Sequence, residues 1–72
     1  MFSRLRMRHI RCFLAVAKAG SVTHAARQLN SSQPAVSRTL AEIEEIIGSP
    51  LFDRTGRGVS LTDAGAKLMR HF

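Results

Sequence analysis

Residues 21–38 read Ser-Val-Thr-His-Ala-Ala-Arg-Gln-Leu-Asn-Ser-Ser-Gln-Pro-Ala-Val-Ser-Arg, and this stretch decides how the rest of the chain is interpreted. Ser21 is a suitable N-cap for a helix over residues 22–29, whose inner face carries two adjacent alanines that allow close helix approach. Residues 30–32 are polar and form a turn, and Pro34 marks the start of the next helix. Two short helices joined by a tight turn predict a helix-turn-helix.

A further helix is predicted before this stretch, over about residues 5–19. Apolar residues recur there at i, i+3, i+4 and i+7, the spacing of one helix face. The residues of this face are Ile10, Phe13, Leu14 and Ala17. Gly20 follows as a residue that can adopt the positive φ common just after a helix.

The elements after the second helix complete the fold prediction. The third helix ends at Gly48, and Pro50 prevents its continuation. Residues 51–61 predict a short hairpin, because the glycines permit a turn and Val59 and Leu61 alternate inward about Ser60. Thr62 then caps a last helix. The order helix, helix, helix, hairpin, helix predicts a mainly α winged helix-turn-helix, with the helix-turn-helix at about 22–41 and the wing at about 51–61.

Charge is distributed unevenly along the chain. The 72 residues carry a formal net charge of +6, from 11 Lys and Arg against 5 Asp and Glu. Residues 1–41 hold seven basic residues and no acid, whereas the remaining residues hold four basic residues and all five acids. Such asymmetry favours a polyanionic partner on one side of the fold, the alternative being a solvated basic surface. A chain this short has no room for a deep substrate pocket as well as a core, so we do not expect an enzyme.

Candidate reactive residues are few. Cys12 is the sole cysteine, which excludes an internal disulfide and suits a reducing compartment, and its place on the apolar side of a helix predicts a buried thiol. His9 and Cys12 lie three residues apart, but no second ligand pair accompanies them, and zinc sites normally need four ligands. We therefore expect no metal, no cofactor and no catalytic residue. No apolar run approaches the length of a membrane span.

The third helix opens with side chains suited to reading base edges. Gln33 can pair bidentately with adenine, and Arg38 with guanine. Pro34 and Ala35 offer apolar contact to a thymine methyl group, and Ser37 can bond to a base or a phosphate. Each has a plainer alternative: Gln33 can be simply solvated, and Pro34 can serve only to start the helix.

Other residues are predicted to contact the DNA backbone. Thr23 and Ser31 are placed for phosphate contacts, and Arg54 and Arg57 flank the tip of the predicted wing. Exposed arginines are often merely solvated, and Ser32 can act purely as an N-cap. The complete set of predicted DNA-binding residues is Thr23, Ser31, Ser32, Gln33, Pro34, Ala35, Ser37, Arg38, Arg54 and Arg57.

The third helix is polarised. Its second half carries Glu42, Glu44 and Glu45, whose charges oppose the helix dipole and would be repelled by phosphates. We interpret these acids as marking the end of the helix that is kept away from DNA, with no role in helix stability. The opposite end, at the helix N-terminus, is then the end that enters the groove.

Motifs along nearly the whole chain resemble the N-terminal DNA-binding domain of LysR-type transcriptional regulators. They are Phe13-Leu14-Ala15-Val16-Ala17, Gly20-Ser21-Val22-Thr23, Ala25-Ala26, Leu29, Ser32-Gln33-Pro34-Ala35-Val36-Ser37-Arg38, Ile43-Glu44, Gly48-x-Pro50-Leu51-Phe52-x-Arg54 and Leu61-Thr62-x-Ala64-Gly65. The resemblance implies that residues 1–61 form a winged DNA-binding domain and that residues 62–72 are the truncated start of a dimerising linker helix.

The same resemblance implies partners for the full-length protein. These are a double-stranded DNA operator with palindromic half-sites of the T-N11-A type, further copies in a homodimer or tetramer, and a small-molecule inducer bound by a C-terminal domain absent from this chain. It also implies a cytoplasmic, nucleoid-associated bacterial regulator. The alternative is a winged-helix module for protein–protein interaction without a DNA role, although such modules lack a basic reading helix.

Overall fold

Four helices and a two-stranded hairpin make up the computed structural model, which describes residues 4–55 and 58–72. The elements in chain order are α1 (Met7–Ala19), α2 (Val22–Gln28), α3 (Gln33–Ile47), β1 (Phe52–Thr55), β2 (Gly58–Leu61) and α4 (Asp63–Met69). This is the winged helix-turn-helix that the sequence predicts. No helix in the described part of the chain is both long enough and apolar enough to cross a membrane.

Side-chain caps fix the starts of three helices. Ser21, Ser32 and Thr62 precede α2, α3 and α4, and each hydroxyl accepts a hydrogen bond from the amide three residues later, at 3.2, 3.2 and 3.1 Å. Each bond satisfies a backbone donor that the first turn of a helix leaves free. The helix starts are therefore set locally, as the capping residues predict.

The turn between α2 and α3 has a defined backbone geometry. Asn30 has φ 58°, a left-handed conformation that asparagine tolerates better than most residues. Its amide donates to the carbonyl of Arg27 at 3.2 Å, and the Ser31 amide donates to the carbonyl of Ala26 at 2.9 Å. This pair of bonds is a Schellman motif, which ends α2 and redirects the chain into α3.

The core lies where α1, α2 and α3 meet the hairpin and α4. Its most completely buried large side chains are Phe13, Val16, Ile43 and Leu51. The ring of Phe13 lies 5.5 Å from that of Phe52, between centroids, which joins α1 to the hairpin. Small residues on the inner face of α2, Ala25 and Ala26, are buried as predicted.

The buried face of α1 differs from the predicted one. The predicted stripe was Ile10, Phe13, Leu14 and Ala17, but the buried residues are His9, Cys12, Phe13 and Val16. The spacing is the same and is shifted by one residue, which corresponds to a rotation of the helix by about 100°. Phe13 of the predicted stripe is buried and the other three residues are half-buried. The predicted centre of the face was wrong because it left out His9, whose ring nitrogens find hydrogen-bond partners in the core, whereas Cys12 is buried as expected.

The hairpin is antiparallel, with Phe52 opposite Leu61 and Thr55 opposite Gly58. It is anchored to α1, because the Val59 amide donates to the Gly20 carbonyl at 3.0 Å. A Cβ atom on Gly58 would fall inside the contact distance of that same carbonyl, so the two backbones touch here. The wing is therefore held directly against the end of α1.

Candidate nucleic-acid interface

The first turns of α3 present the predicted base-reading residues on one exposed surface. Gln33, Pro34 and Arg38 are exposed, and Ala35 and Ser37 are half-buried beside them. Gln33 and Ser37 lie one turn apart, as do Pro34 and Arg38, so they form two adjacent rows on the helix. The structure thus brings these five side chains together at the N-terminal end of α3.

The remaining predicted contacts lie on neighbouring elements. Thr23 is exposed in the first turn of α2, and Ser31 and Ser32 are exposed in the turn that leads into α3. Arg54 is exposed on β1, paired with Val59 across the hairpin. Arg57, the other predicted wing residue, lies outside the described residues.

This surface carries unbalanced positive charge. Among the described residues, the ion pair joins Arg8 to Glu42, which also forms a hydrogen bond with the His9 ring. Arg11, Arg27, Arg38 and Arg54 are exposed and have no acidic partner in this part of the chain. Of these, Arg38 lies on α3 and Arg11 lines a cleft with Ala35 and Thr39 of α3. Unpaired guanidinium groups beside an acid-free helix start are suited to binding phosphates and guanine edges.

Glu42 ties α3 to α1. Its Oε1 atom accepts hydrogen bonds from Arg8 Nη1 at 2.9 Å and from His9 Nε2 at 3.1 Å. The bond from His9 is the main cause, and the bond from Arg8 the second, of a Glu42 pKa below its ordinary value. The carboxylate therefore stays ionised at neutral pH and holds the two helices together.

Glu44 has a second structural contact. Its Oε2 atom accepts a hydrogen bond from the Leu51 amide at 2.8 Å, which connects α3 to the segment that begins the hairpin. The sequence pattern indicated only that these acids do not serve helix stability and mark the end of α3 kept away from DNA. Glu42 and Glu44 in addition make tertiary hydrogen bonds that the sequence did not predict. Both still lie in the second half of α3, away from its N-terminal reading surface.

His9 has a structural role that the sequence did not predict, since its spacing to Cys12 suggested only a metal site, which was not expected. It is buried, and its Nδ1 atom accepts a hydrogen bond from the Arg6 amide at 2.9 Å. Since Nδ1 accepts, the ring proton is assigned to Nε2, which donates to Glu42. His9 thus fixes the start of α1, and a buried polar side chain on the apolar face was the available signal for this role.

Cys12 is a buried thiol, as predicted, with its Sγ atom 3.8 Å from the Val36 carbonyl oxygen. Burial raises the pKa of this thiol, so it remains protonated and is a poor nucleophile at neutral pH. Within the described residues no group of three or more His, Cys, Asp or Glu side chains is arranged to hold a metal ion.

The fold and the exposed start of α3 define a protein of the winged helix-turn-helix class. Residues 7–66 match the model of the bacterial regulatory helix-turn-helix proteins of the lysR family. The match covers most of the chain, so the chain belongs to this family. The resemblance to LysR-type transcriptional regulators that the sequence motifs indicated is confirmed.

Known relatives agree with this assignment. The chain is 46% identical over 68 residues to the HTH-type transcriptional regulator YdcI of Escherichia coli K12, covering 94% of this chain and 22% of that protein. It therefore spans about a fifth of that relative's length. Among solved structures, CbnR_DBD in its DNA complex has a TM-score of 0.89 at 36% identity, covering 93% of this chain and 77% of that one.

The DNA-binding domain in a second solved DNA complex is similarly close in structure to this chain. BenM_DBD with the catB site 1 DNA has a TM-score of 0.87 at 36% identity, covering 93% of this chain and 75% of that one. The winged helix-turn-helix predicted from the sequence is thus confirmed by the elements described above and by their agreement with two solved DNA-binding domains.

Proposed function

We propose that this chain is the DNA-binding domain of a LysR-family transcriptional regulator and that it binds double-stranded DNA in a sequence-specific manner. The observation that carries the proposal is the exposed, acid-free start of α3, with the unpaired Arg38 on this helix and the unpaired Arg11 beside it. The CbnR and BenM domains, which share this fold, were solved in complexes with DNA. The relatives are transcriptional regulators, so we propose no catalytic activity for this chain.

In this proposal α3 enters the major groove with its N-terminal end. Gln33 pairs with adenine N6 and N7, and Arg38 pairs with guanine O6 and N7. Pro34 and Ala35 contact a thymine methyl, and Ser37 bonds to a base edge or a phosphate. These five side chains set the preferred sequence.

The turn, α2 and the wing bind the backbone. Thr23, Ser31 and Ser32 donate hydroxyl hydrogen bonds to phosphates beside the groove. Arg54, together with Arg57 at the hairpin tip, contacts phosphates or enters the adjacent minor groove. Their contribution is affinity and orientation, without direct sequence information.

The domain division follows from the same assignment. We propose that residues 1–61 form the winged DNA-binding domain and that residues 62–72, which include α4, begin a linker helix that dimerises in the full-length protein. The full-length regulator then binds palindromic half-sites of the T-N11-A type as a homodimer or tetramer. We further propose a cytoplasmic, nucleoid-associated regulator whose small-molecule inducer binds a separate C-terminal domain.

The first test measures DNA affinity as a function of salt. About four to six phosphates neutralised per domain give a slope of log affinity against log salt on the order of −4 to −5. Fluorescence anisotropy with a labelled duplex, at several salt concentrations, measures this slope. A slope near zero refutes the proposal.

Sequence specificity needs a separate test, because phosphate binding alone does not provide it. Selection from a random duplex pool identifies the preferred site, and Arg38→Ala is then titrated on it. The variant should lose about 1–3 kcal/mol of binding free energy and relax the preference at one base pair. Arg70→Ala, at the end of α4, is the matched control and should keep that preference. Equal behaviour of the two variants contradicts a base-reading role for Arg38.

A further inference from the structure

A cleft of about 210 Å³ opens beside the start of α3, between α1 and the turn that follows α2. Its wall includes Arg8 and Arg11 from α1, Ser31 from the turn, and Ala35 and Thr39 from α3. Ala35 and Thr39 lie one helical turn apart, so the cleft runs along the side of the first half of α3. It is therefore adjacent to the base-reading surface.

The position of the cleft places it against a DNA strand once α3 is seated. The major groove of B-DNA is about 12 Å wide, and a helix with its side chains is about 10–12 Å across. A helix in the groove therefore fills it from wall to wall, and the walls are the sugar-phosphate strands. Groups directly beside α3, such as those lining this cleft, then face phosphates.

The two arginines of the cleft are not equivalent. Arg8 donates to Glu42 at 2.9 Å, so its charge is already compensated within the protein. Arg11 is exposed and has no acidic partner among the described residues. Ser31, from the turn that follows α2, lines the same cleft and adds an exposed hydroxyl. One free guanidinium and one free hydroxyl are complementary to a single phosphodiester group.

We infer that this cleft binds one phosphodiester group of the DNA backbone, with Arg11 as its charged donor and the Ser31 hydroxyl as its second donor. Arg11 is then a binding residue additional to the predicted contacts. The inference rests on the proposed function, since it requires α3 in the major groove. Arg8 remains paired with Glu42 and contributes less to phosphate binding than Arg11 does.

The test compares the salt dependence of DNA binding by Arg11→Gln and by the wild-type chain. Loss of one phosphate contact should reduce the slope by about 0.9 in magnitude. The ratio of wild-type to variant affinity should accordingly shrink about 3.5-fold between 50 and 200 mM salt. Relative affinities for the selected site and its single-base variants should stay unchanged, because a phosphate contact carries no sequence information.

Three further variants isolate the contact. Arg70→Gln removes the same charge from α4 and should leave the slope near that of the wild type, and Arg8→Gln should change it less than Arg11→Gln does. Ser31→Ala, which removes a neutral donor, should weaken binding about 2- to 12-fold with little change in slope. Thermal unfolding of each variant checks that the domain remains folded.

The outcomes separate this inference from the proposed function. If the wild-type chain shows a steep slope and Arg11→Gln shows the same slope as Arg70→Gln, the inference is wrong and DNA binding stands. An equal or larger effect of Arg8→Gln also overturns it, because the compensated arginine would then be the one at the phosphate. A wild-type slope near zero contradicts the proposed function itself.

Discussion

Replacing Gly65 with alanine should destabilise the domain, although the same change in an open helix is favourable. Gly65 lies inside α4, where alanine is preferred over glycine by about 1 kcal/mol on helix propensity alone. In this fold a Cβ atom there would overlap the Leu51 carbonyl oxygen and lie 2.9 Å from Leu61 Cδ2. Backbone contact and helix propensity therefore predict changes of opposite sign in the free energy of unfolding of Gly65→Ala.

The structure indicates the size of the effect. A carbon normally approaches a carbonyl oxygen no closer than about 3.3 Å, so α4 must move by on the order of 1 Å. The Leu51 carbonyl cannot yield freely, because it accepts the Thr62 amide at 3.0 Å, and the Thr62 hydroxyl donates to the Pro50 carbonyl at 2.6 Å. Overpacking costs about 1–3 kcal/mol and each weakened bond about 0.5–1.5 kcal/mol. With both bonds weakened and the propensity gain subtracted, we expect a net loss of about 3 kcal/mol, within limits of about 1–5 kcal/mol.

Thermal and urea unfolding, followed by circular dichroism, measure this loss. In a domain of this size it should lower the melting temperature by roughly 10–25 °C. Gly48→Ala is the comparison variant, because Gly48 has a left-handed φ of 86°, which Gly65 does not, and nothing lies within 4 Å of an added Cβ. It should cost about 1–2 kcal/mol, from backbone strain alone. A Gly65→Ala variant as stable as the wild type, or more stable, would refute the packing argument.

Substitutions at three other positions test contacts described above. Gly58→Ala should displace the wing from Gly20 and cost about 1–3 kcal/mol, and a wild-type melting temperature would contradict this close backbone approach. Glu42→Gln should flatten the acid side of the stability–pH profile. Hydrogen bonding to His9 lowers the pKa of Glu42 in the folded state. The stabilisation from the ionised Glu42 carboxylate is therefore present above the ordinary glutamate pKa and is lost as the pH falls through the lowered value. Urea unfolding at a series of pH values measures it, and parallel profiles for the variant and the wild type would be the contrary result. Ser32→Ala should lower the free energy of unfolding by about 1 kcal/mol, because it removes the cap of α3. Ser32→Asp keeps a cap, so its stability should be near that of the wild type. It places a negative charge where we propose a phosphate, so it should weaken DNA binding. Unchanged DNA affinity of Ser32→Asp would place Ser32 outside the interface.

The sequence predicted the element order because each boundary depends on a local signal. Ser21, Ser32 and Thr62 form the caps expected of their side chains. Gly20 and Gly48 take the left-handed geometry that ends a helix. These interactions span three or four residues, so they can be read without knowledge of the tertiary structure.

The contacts that were missed join residues distant in the chain. Glu42 meets Arg8 and His9 across 34 and 33 positions, and no local pattern indicates such a pairing. His9 was left out of the predicted buried face of α1 partly for the same reason, since one partner of its ring nitrogens is the distant Glu42, although the other, the Arg6 amide, is local. The predicted reading residues at the start of α3 were easier to place, because they follow one another along one exposed helix.

The charge polarity of α3 has two causes that act at opposite ends of the same helix. Its N-terminal half must be free of acids if it is to approach phosphates, which leaves the second half as the place for carboxylates. A small domain has a limited core and benefits from polar links between its elements. Glu42 and Glu44 supply these links, one to α1 and one to the segment before the hairpin. On the proposed function, DNA binding keeps the acids off the start of α3 and folding retains them on its second half, so the sequence pattern alone reveals only the first of these constraints.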